Sequence, residues 1–154
     1  MIIYRYILIS IITSCLLSSC ESSGAITNTG YNYGGTNLGN ARIVKTNPSL
    51  SNDIGEIFIR RGCTAVGCHG NGAGGLTLTT SSTANYTSLV GVTSPYSGEV
   101  HVIQNDANNS YLVKKLENRQ GNGNGTIMPP SGSPLDSIDM TNIKNWINTG
   151  ALNN

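Results

Sequence analysis

The segment CTAVGCHG, Cys63 to Gly70, constrains this chain more than any other feature. Two thiols stand with four residues between them, and an imidazole follows the second directly. The rest of the chain is poorly supplied for building a core: it has one Phe, one Trp and 38% apolar residues. A small domain of that kind needs a staple, whether a disulfide, a metal or a cofactor. What these thiols and this imidazole hold therefore bears on the whole fold.

The opening residues narrow the compartment. MIIYRYILISIITSCLLSSC carries one early charge, Arg5, then an apolar run from Ile7 to Leu17 and small residues after it. Residues 1–19 read as a secretory signal peptide, too short in its apolar part for a membrane-spanning helix. Leu17-Ser18-Ser19-Cys20 resembles the bacterial lipobox, which implies that Cys20 is lipid-modified and becomes the first residue of a mature lipoprotein. Cys15 falls in the discarded part. Residues 20–52 are rich in Ser, Gly, Asn and Thr without a persistent period, and read as a lipid-anchored flexible linker. The remainder, 53–154, suits one small domain. A net charge of +1 and the absence of any Lys/Arg block or stacking aromatic series exclude a nucleic-acid partner from the reading.

Within 53–154 the periodicity is helical. Ser51 or Asn52 can cap a helix that buries Ile54, Ile57 and Phe58 and ends at Arg60-Arg61-Gly62. A glycine-rich loop follows the Cys motif and leads to Leu76 and Leu78 in alternation. A short helix is expected over 84–92 around Tyr86, Leu89 and Val90, and an extended stretch near 100–103. Asn109 or Ser110 then caps a helix with Leu112, Val113 and Leu116 on one side. GNGNG, residues 121–125, reads as a mobile loop, and it lacks the strand and Lys of a phosphate loop. Asp136, with Asp139 three residues on, forms a carboxylate version of the capping box. Met140, Ile143, Ile147 and Ala151 then mark one helix face beside Trp146, with Gly150 as the stop. The expected class is all-α, without internal repeats.

The Cys motif admits several chemistries. Two neighbouring thiols can form thioethers to the vinyl groups of a haem, and a histidine directly after the second is then an axial ligand of the iron. The common spacing has two residues between the cysteines, where this chain has four. A Cys63–Cys68 disulfide suits an oxidising compartment but leaves His69 unexplained. Zinc could use both cysteines with His69 and His101, although adjacent Cys68 and His69 sit awkwardly on one tetrahedral ion. A redox dithiol lacks its usual strand-to-helix context. Met128 lies between the Gly-rich loop and Pro129-Pro130, so a braced arm delivers it, as a ligand requires; its alternative is a core methionine. His101, the only other histidine, is a rival ligand, read here as a surface residue beside Glu99.

Several of these segments recur together in a known order. Cys-x4-Cys-His-Gly, the loop with GLTL, NSYLVKKLE, MPPSGSPL and a closing helix ending NWINTGA resemble the small cytochrome c-like domains of bacterial envelope proteins. The resemblance spans about Asp53 to Leu152. It implies a small helical domain wrapped around one covalent haem c, with Cys63 and Cys68 holding the vinyls. His69 would be the proximal iron ligand and Met128 the distal one. A His/Met pair favours reduced iron and raises the potential. The implied role is single-electron transfer with redox partner proteins in the cell envelope, at the outer membrane or periplasmic face. No general base, nucleophile or second cofactor is evident, so an enzyme is not expected. Two rival readings remain: a non-haem lipoprotein whose Cys63–Cys68 disulfide staples a binding or structural module, and a haem sensor or peroxidase-like enzyme with an open sixth site.

Overall fold

Helices form where apolar spacing and capping residues meet, although the caps are not always the expected ones. A computed structural model of the chain describes residues 42–130 and 133–154. The expected signal peptide, the expected lipid site Cys20 and residues 20–41 of the expected linker lie outside the described residues. The first helical segment opens at Ser49, whose Oγ accepts from the Asn52 N–H at 3.1 Å while the Asp53 carboxylate accepts from the Ser49 N–H at 2.9 Å. This reciprocal cap displaces the expected one at Ser51 or Asn52. It starts a wide π-type turn, Leu50–Ile54, that runs into α1, Gly55–Arg60. Leu50, Ile54, Ile57 and Phe58 are buried.

The next helix, α2, spans Ser82–Leu89 and is capped by Ser81, whose Oγ accepts from Ala84 N–H at 3.3 Å. Asn85 is buried on it because its amide meets both backbone groups of Thr79, at 2.8 and 2.9 Å. Helix α3, Tyr111–Leu116, follows Ser110 as the sequence suggests. The Ser110 hydroxyl, however, donates to Asp106 O at 2.7 Å and accepts from Ile103 N–H at 2.9 Å, so it ties down the preceding loop. Helix α4, Ser137–Asn148, is capped by Asp136, which accepts from the Ile138 and Asp139 amides.

Asp139 does not complete the expected capping box. Its carboxylate is 2% exposed and lies 2.7 Å from Arg60 and 3.1 Å from Arg42. Two guanidinium groups donate to this carboxylate and bring a positive charge that a backbone amide lacks. The pair fastens α1 to α4. Behind it, Phe58, Leu89, Val113, Ile143, Trp146 and Ile147 join one buried cluster, and Trp146 Nε1 donates to Leu152 O at 3.0 Å.

The stretch near 100–103 is extended but pairs only through isolated bridges, Val90 with Val102 and Thr93 with Val100. The described residues are helical with no strand beyond such bridges, so the class is all-α. Residues 42–52, read from composition as the end of a flexible linker, lie along α4. Lys45 N–H donates to Asn142 Oδ1 at 2.8 Å, Asn142 returns a bond to Ile43 O at 2.9 Å, and Asn145 donates to Lys45 O at 2.7 Å. Among the described residues no helix is long and apolar enough to cross a membrane.

Candidate functional site

The four residues between the cysteines are absorbed by tight turns. Helix α1 ends at Arg60 with Arg61 as its C-cap, Gly62 takes a left-handed φ of 72°, and Cys63 N–H returns to Phe58 O at 2.8 Å. Cys68 N–H then donates to Ala65 O at 2.9 Å, and His69 N–H to Cys63 O at 3.1 Å. The longer spacing thus closes on itself and brings His69 back beside Cys63. Gly70 seals the loop by close approach: a Cβ there would lie 2.4 Å from Thr64 O and 2.8 Å from Ala65 O. Both obstacles are backbone. We therefore expect Gly70→Ala to destabilise the domain by ~1–3 kcal/mol, the usual cost of overpacking. A denaturant midpoint that falls at unchanged slope would show it, and an unmoved midpoint would count against this loop geometry.

His69 is held in one tautomer. Its Nδ1 lies 2.7 Å from Ala73 O and 3.2 Å from Leu76 O. Carbonyls only accept, so Nδ1 carries the proton and Nε2 keeps its lone pair. Such an outer hydrogen bond is what orients an imidazole for a metal. The GLTL segment is part of the same arrangement, because Leu78 N–H donates to His69 O at 3.0 Å.

The two sulfurs are not joined to each other. Cys63 is a free, half-buried thiol, and burial pushes its pKa up to about 11 against the opposing charge of Arg61. Cys68 is buried and is not a free thiol: its sulfur is disulfide-bonded.

Met128 comes from a distant part of the chain. Its N–H donates to Lys115 O at 2.9 Å on α3, and its peptide to Pro129 is cis. The glycine-rich loop before it is not free, as the sequence suggested. Lys115 Nζ donates to Asn124 O at 2.9 Å and also to Thr126 O, while Gln120 Nε2 donates to Gly125 O at 3.1 Å. Burial lowers the pKa of Lys115.

These residues meet at a cavity of about 380 Å³ whose wall includes Cys63, His69 and Met128. Ile57, Phe58, Leu76, Leu78, Leu116 and Ile143 make most of its lining apolar. A smaller cavity of about 140 Å³ is lined by Cys68 together with the same Cys63, His69 and Met128, and by Pro129 and Pro130. All four residues singled out in the sequence therefore line these cavities.

His101 requires a correction. It is 5% exposed, lines the larger cavity and has its ring centroid 6.1 Å from that of Tyr111. The cause is backbone pairing: His101 N–H donates to Val92 O at 2.8 Å and its carbonyl accepts from Leu112 N–H at 2.9 Å, which turns the side chain inward. Glu99 pairs with Lys114 instead. Burial first, and the nearby His69 second, lower the His101 pKa. Tyr111 and Lys115 also line the cavity, and sequence reasoning assigned them no place there.

Among the described residues, no group of three or more His, Cys, Asp or Glu side chains could hold a metal ion. This leaves the zinc alternative without a ligand set among them. No known family model, curated protein or solved structure matches this chain.

Proposed function

We propose that the chain is a monohaem c-type cytochrome lipoprotein that carries single electrons in the bacterial cell envelope. The observation that carries this reading is convergence. Two cysteines, a histidine with a free Nε2 and a distant methionine share one apolar cavity system. The residues present fit a haem: Cys63 and Cys68 sulfurs, a nitrogen donor and a thioether donor are among the cavity-lining residues, with aliphatic and aromatic side chains to cover a porphyrin. Such a group would also complete a core that the polypeptide supplies thinly. Cys63 and Cys68 would hold it, and His69 and Met128 would be its axial ligands.

When bound, the haem iron supplies a one-electron couple. The chain's own part is to orient and exclude water. Ala73 O and Leu76 O hold the His69 ring, Lys115 O holds the Met128 backbone, and Leu76, Leu78 and Ile143 keep the cavity apolar. Partners are redox proteins of the envelope, met from a membrane to which the lipid on Cys20 would anchor the domain, and the chain has no enzymatic role of its own. The second reading, a disulfide-stapled binding or structural lipoprotein, is disfavoured by the free Cys63 thiol.

Expression of the full chain with the haem-attachment machinery tests the proposal. Attachment takes the Cys68 sulfur as a thiol, so a reductant is supplied during expression and removed before the mass is measured. A covalent haem adds its mass and gives a c-type spectrum, whereas a Cys63–Cys68 disulfide removes two hydrogens and leaves the protein colourless. In the haem-loaded protein, Met128→Ala is expected to lower the potential and to let carbon monoxide bind where the native protein resists it. His101 lines the same cavity and is the alternative sixth ligand. If Met128→Ala changes neither property, the sixth ligand is His101, and His101→Phe would open the iron to carbon monoxide instead.

A further inference from the structure

Two consecutive arginines end α1, and they do different work. Arg60 reaches Asp139 on α4 at 2.7 Å. Arg61 turns the other way: one terminal nitrogen, Nη2, donates to Ser133 O at 2.6 Å and to Pro134 O at 2.9 Å. Those carbonyls lie a few residues downstream of Met128, whereas Arg61 stands two residues before Cys63. The side chain is half-buried and lines the smaller cavity with Cys63, Cys68, His69 and Met128. Its Nε is buried without a hydrogen-bond partner, so the guanidinium grips through that one terminal nitrogen.

Upstream, the Met128 segment is held by Lys115 O at Met128 itself and by Lys115 Nζ at Asn124 and Thr126. Downstream, Arg61 ties the segment to the rim of the cysteine motif. We propose that Arg61 is the positioning residue for Met128: its guanidinium latches the downstream end of the methionine segment to the motif and thereby keeps the thioether on the iron. This rests on the haem reading above. Arg61 touches no reacting atom; it acts by limiting how far the Met128 segment can swing away.

The test uses the full-length haem-loaded protein and three variants. Arg61→Met keeps the apolar stem against the cavity and removes the donors and the charge. Arg61→Lys keeps the charge without the reach of the guanidinium, so it separates a latch from a simple electrostatic effect. Arg119→Gln, at an exposed ion pair with Glu117, is the control. Imidazole is titrated into the ferric protein while the thioether-to-iron charge-transfer band is followed. In Arg61→Met the band is expected to vanish at an imidazole concentration about tenfold lower than in the native protein, equivalent to ~1.4 kcal/mol. Arg61→Lys should fall between Arg61→Met and native, and the control should match native. Hydrogen exchange of the backbone amides around Met128 and Leu135 should rise in Arg61→Met, a readout that needs no haem.

An unchanged imidazole titration in Arg61→Met overturns the latch, even if the segment exchanges faster. So does a charge-transfer band absent from a native protein that carries haem, because Met128 is then no ligand. Failure of the haem reading looks different, since it appears in the native protein alone as missing haem mass and colour. Unaltered exchange in Arg61→Met then removes the latch as well.

Discussion

Replacing His69 by Ala is expected to yield protein with more than about tenfold less low-spin haem, although Cys63 and Cys68 remain in place. The reason lies in how the ring is presented. Nδ1–H is committed to Ala73 O and Leu76 O, so a lone pair at Nε2 is available without any rearrangement. Alanine offers no donor, and no neighbouring side chain in the motif can replace it. Covalent haem content from the reduced pyridine spectrum, set against protein mass, makes the comparison. The same variant separates the two main readings. If the cysteines serve only as a disulfide staple, His69→Ala leaves a folded, colourless protein much like the parent. A His69→Ala protein with native low-spin haem would remove His69 as proximal ligand.

The second large effect belongs to the core. Trp146 is 1% exposed and belongs to one buried cluster with Ile143, Ile147, Ile57 and Phe58. Trp146→Ala is expected to cost ~3–5 kcal/mol, from lost burial and the cavity left behind. Against a total of about 5–15 kcal/mol for an ordinary domain, that is enough to unfold much of the population. Trp146→Phe should cost less. It retains much of the apolar volume and loses the Nε1–H bond to Leu152 O, whose residue is partly exposed so that water can replace the donor. Denaturant unfolding followed by far-ultraviolet circular dichroism ranks the two. A cost below ~1 kcal/mol for Trp146→Ala would mean that Trp146 does not anchor the core.

Much of this architecture could be read locally. Asp136 caps α4 because its carboxylate needs only amides two and three residues away. Ile143, Trp146 and Ile147 share a face because helical geometry alone aligns them. Leu76 and Leu78 are buried while Thr77 is exposed, as alternation in an extended segment requires. Cys63, His69 and Met128 were also legible as a set, and they line one cavity.

What escaped the sequence depends on partners far along the chain. Asp139 has an amide near at hand, yet it pairs with Arg42 and Arg60, which no local pattern announces. His101 looked like a companion of Glu99 because they are close in sequence. Bridges to Val92 and Leu112 decided its orientation instead. The loop around Gly123 has a flexible composition, but Lys115 supplies it with donors from α3. Residues 42–52 carry too few apolar side chains to suggest docking, and their attachment runs through backbone groups that meet Asn142 and Asn145.

That last attachment sets an order of events for folding. Ser51 N–H donates to Asn154 O at 2.8 Å and Leu50 N–H to Asn154 Oδ1 at 3.0 Å, so the first helical turn is completed by residues about a hundred positions later. Closing so long a loop is entropically costly and slow compared with local helix formation. Under the proposed export, a chain that emerges progressively through a membrane pore would therefore complete its opening turn only after Asn154 had followed.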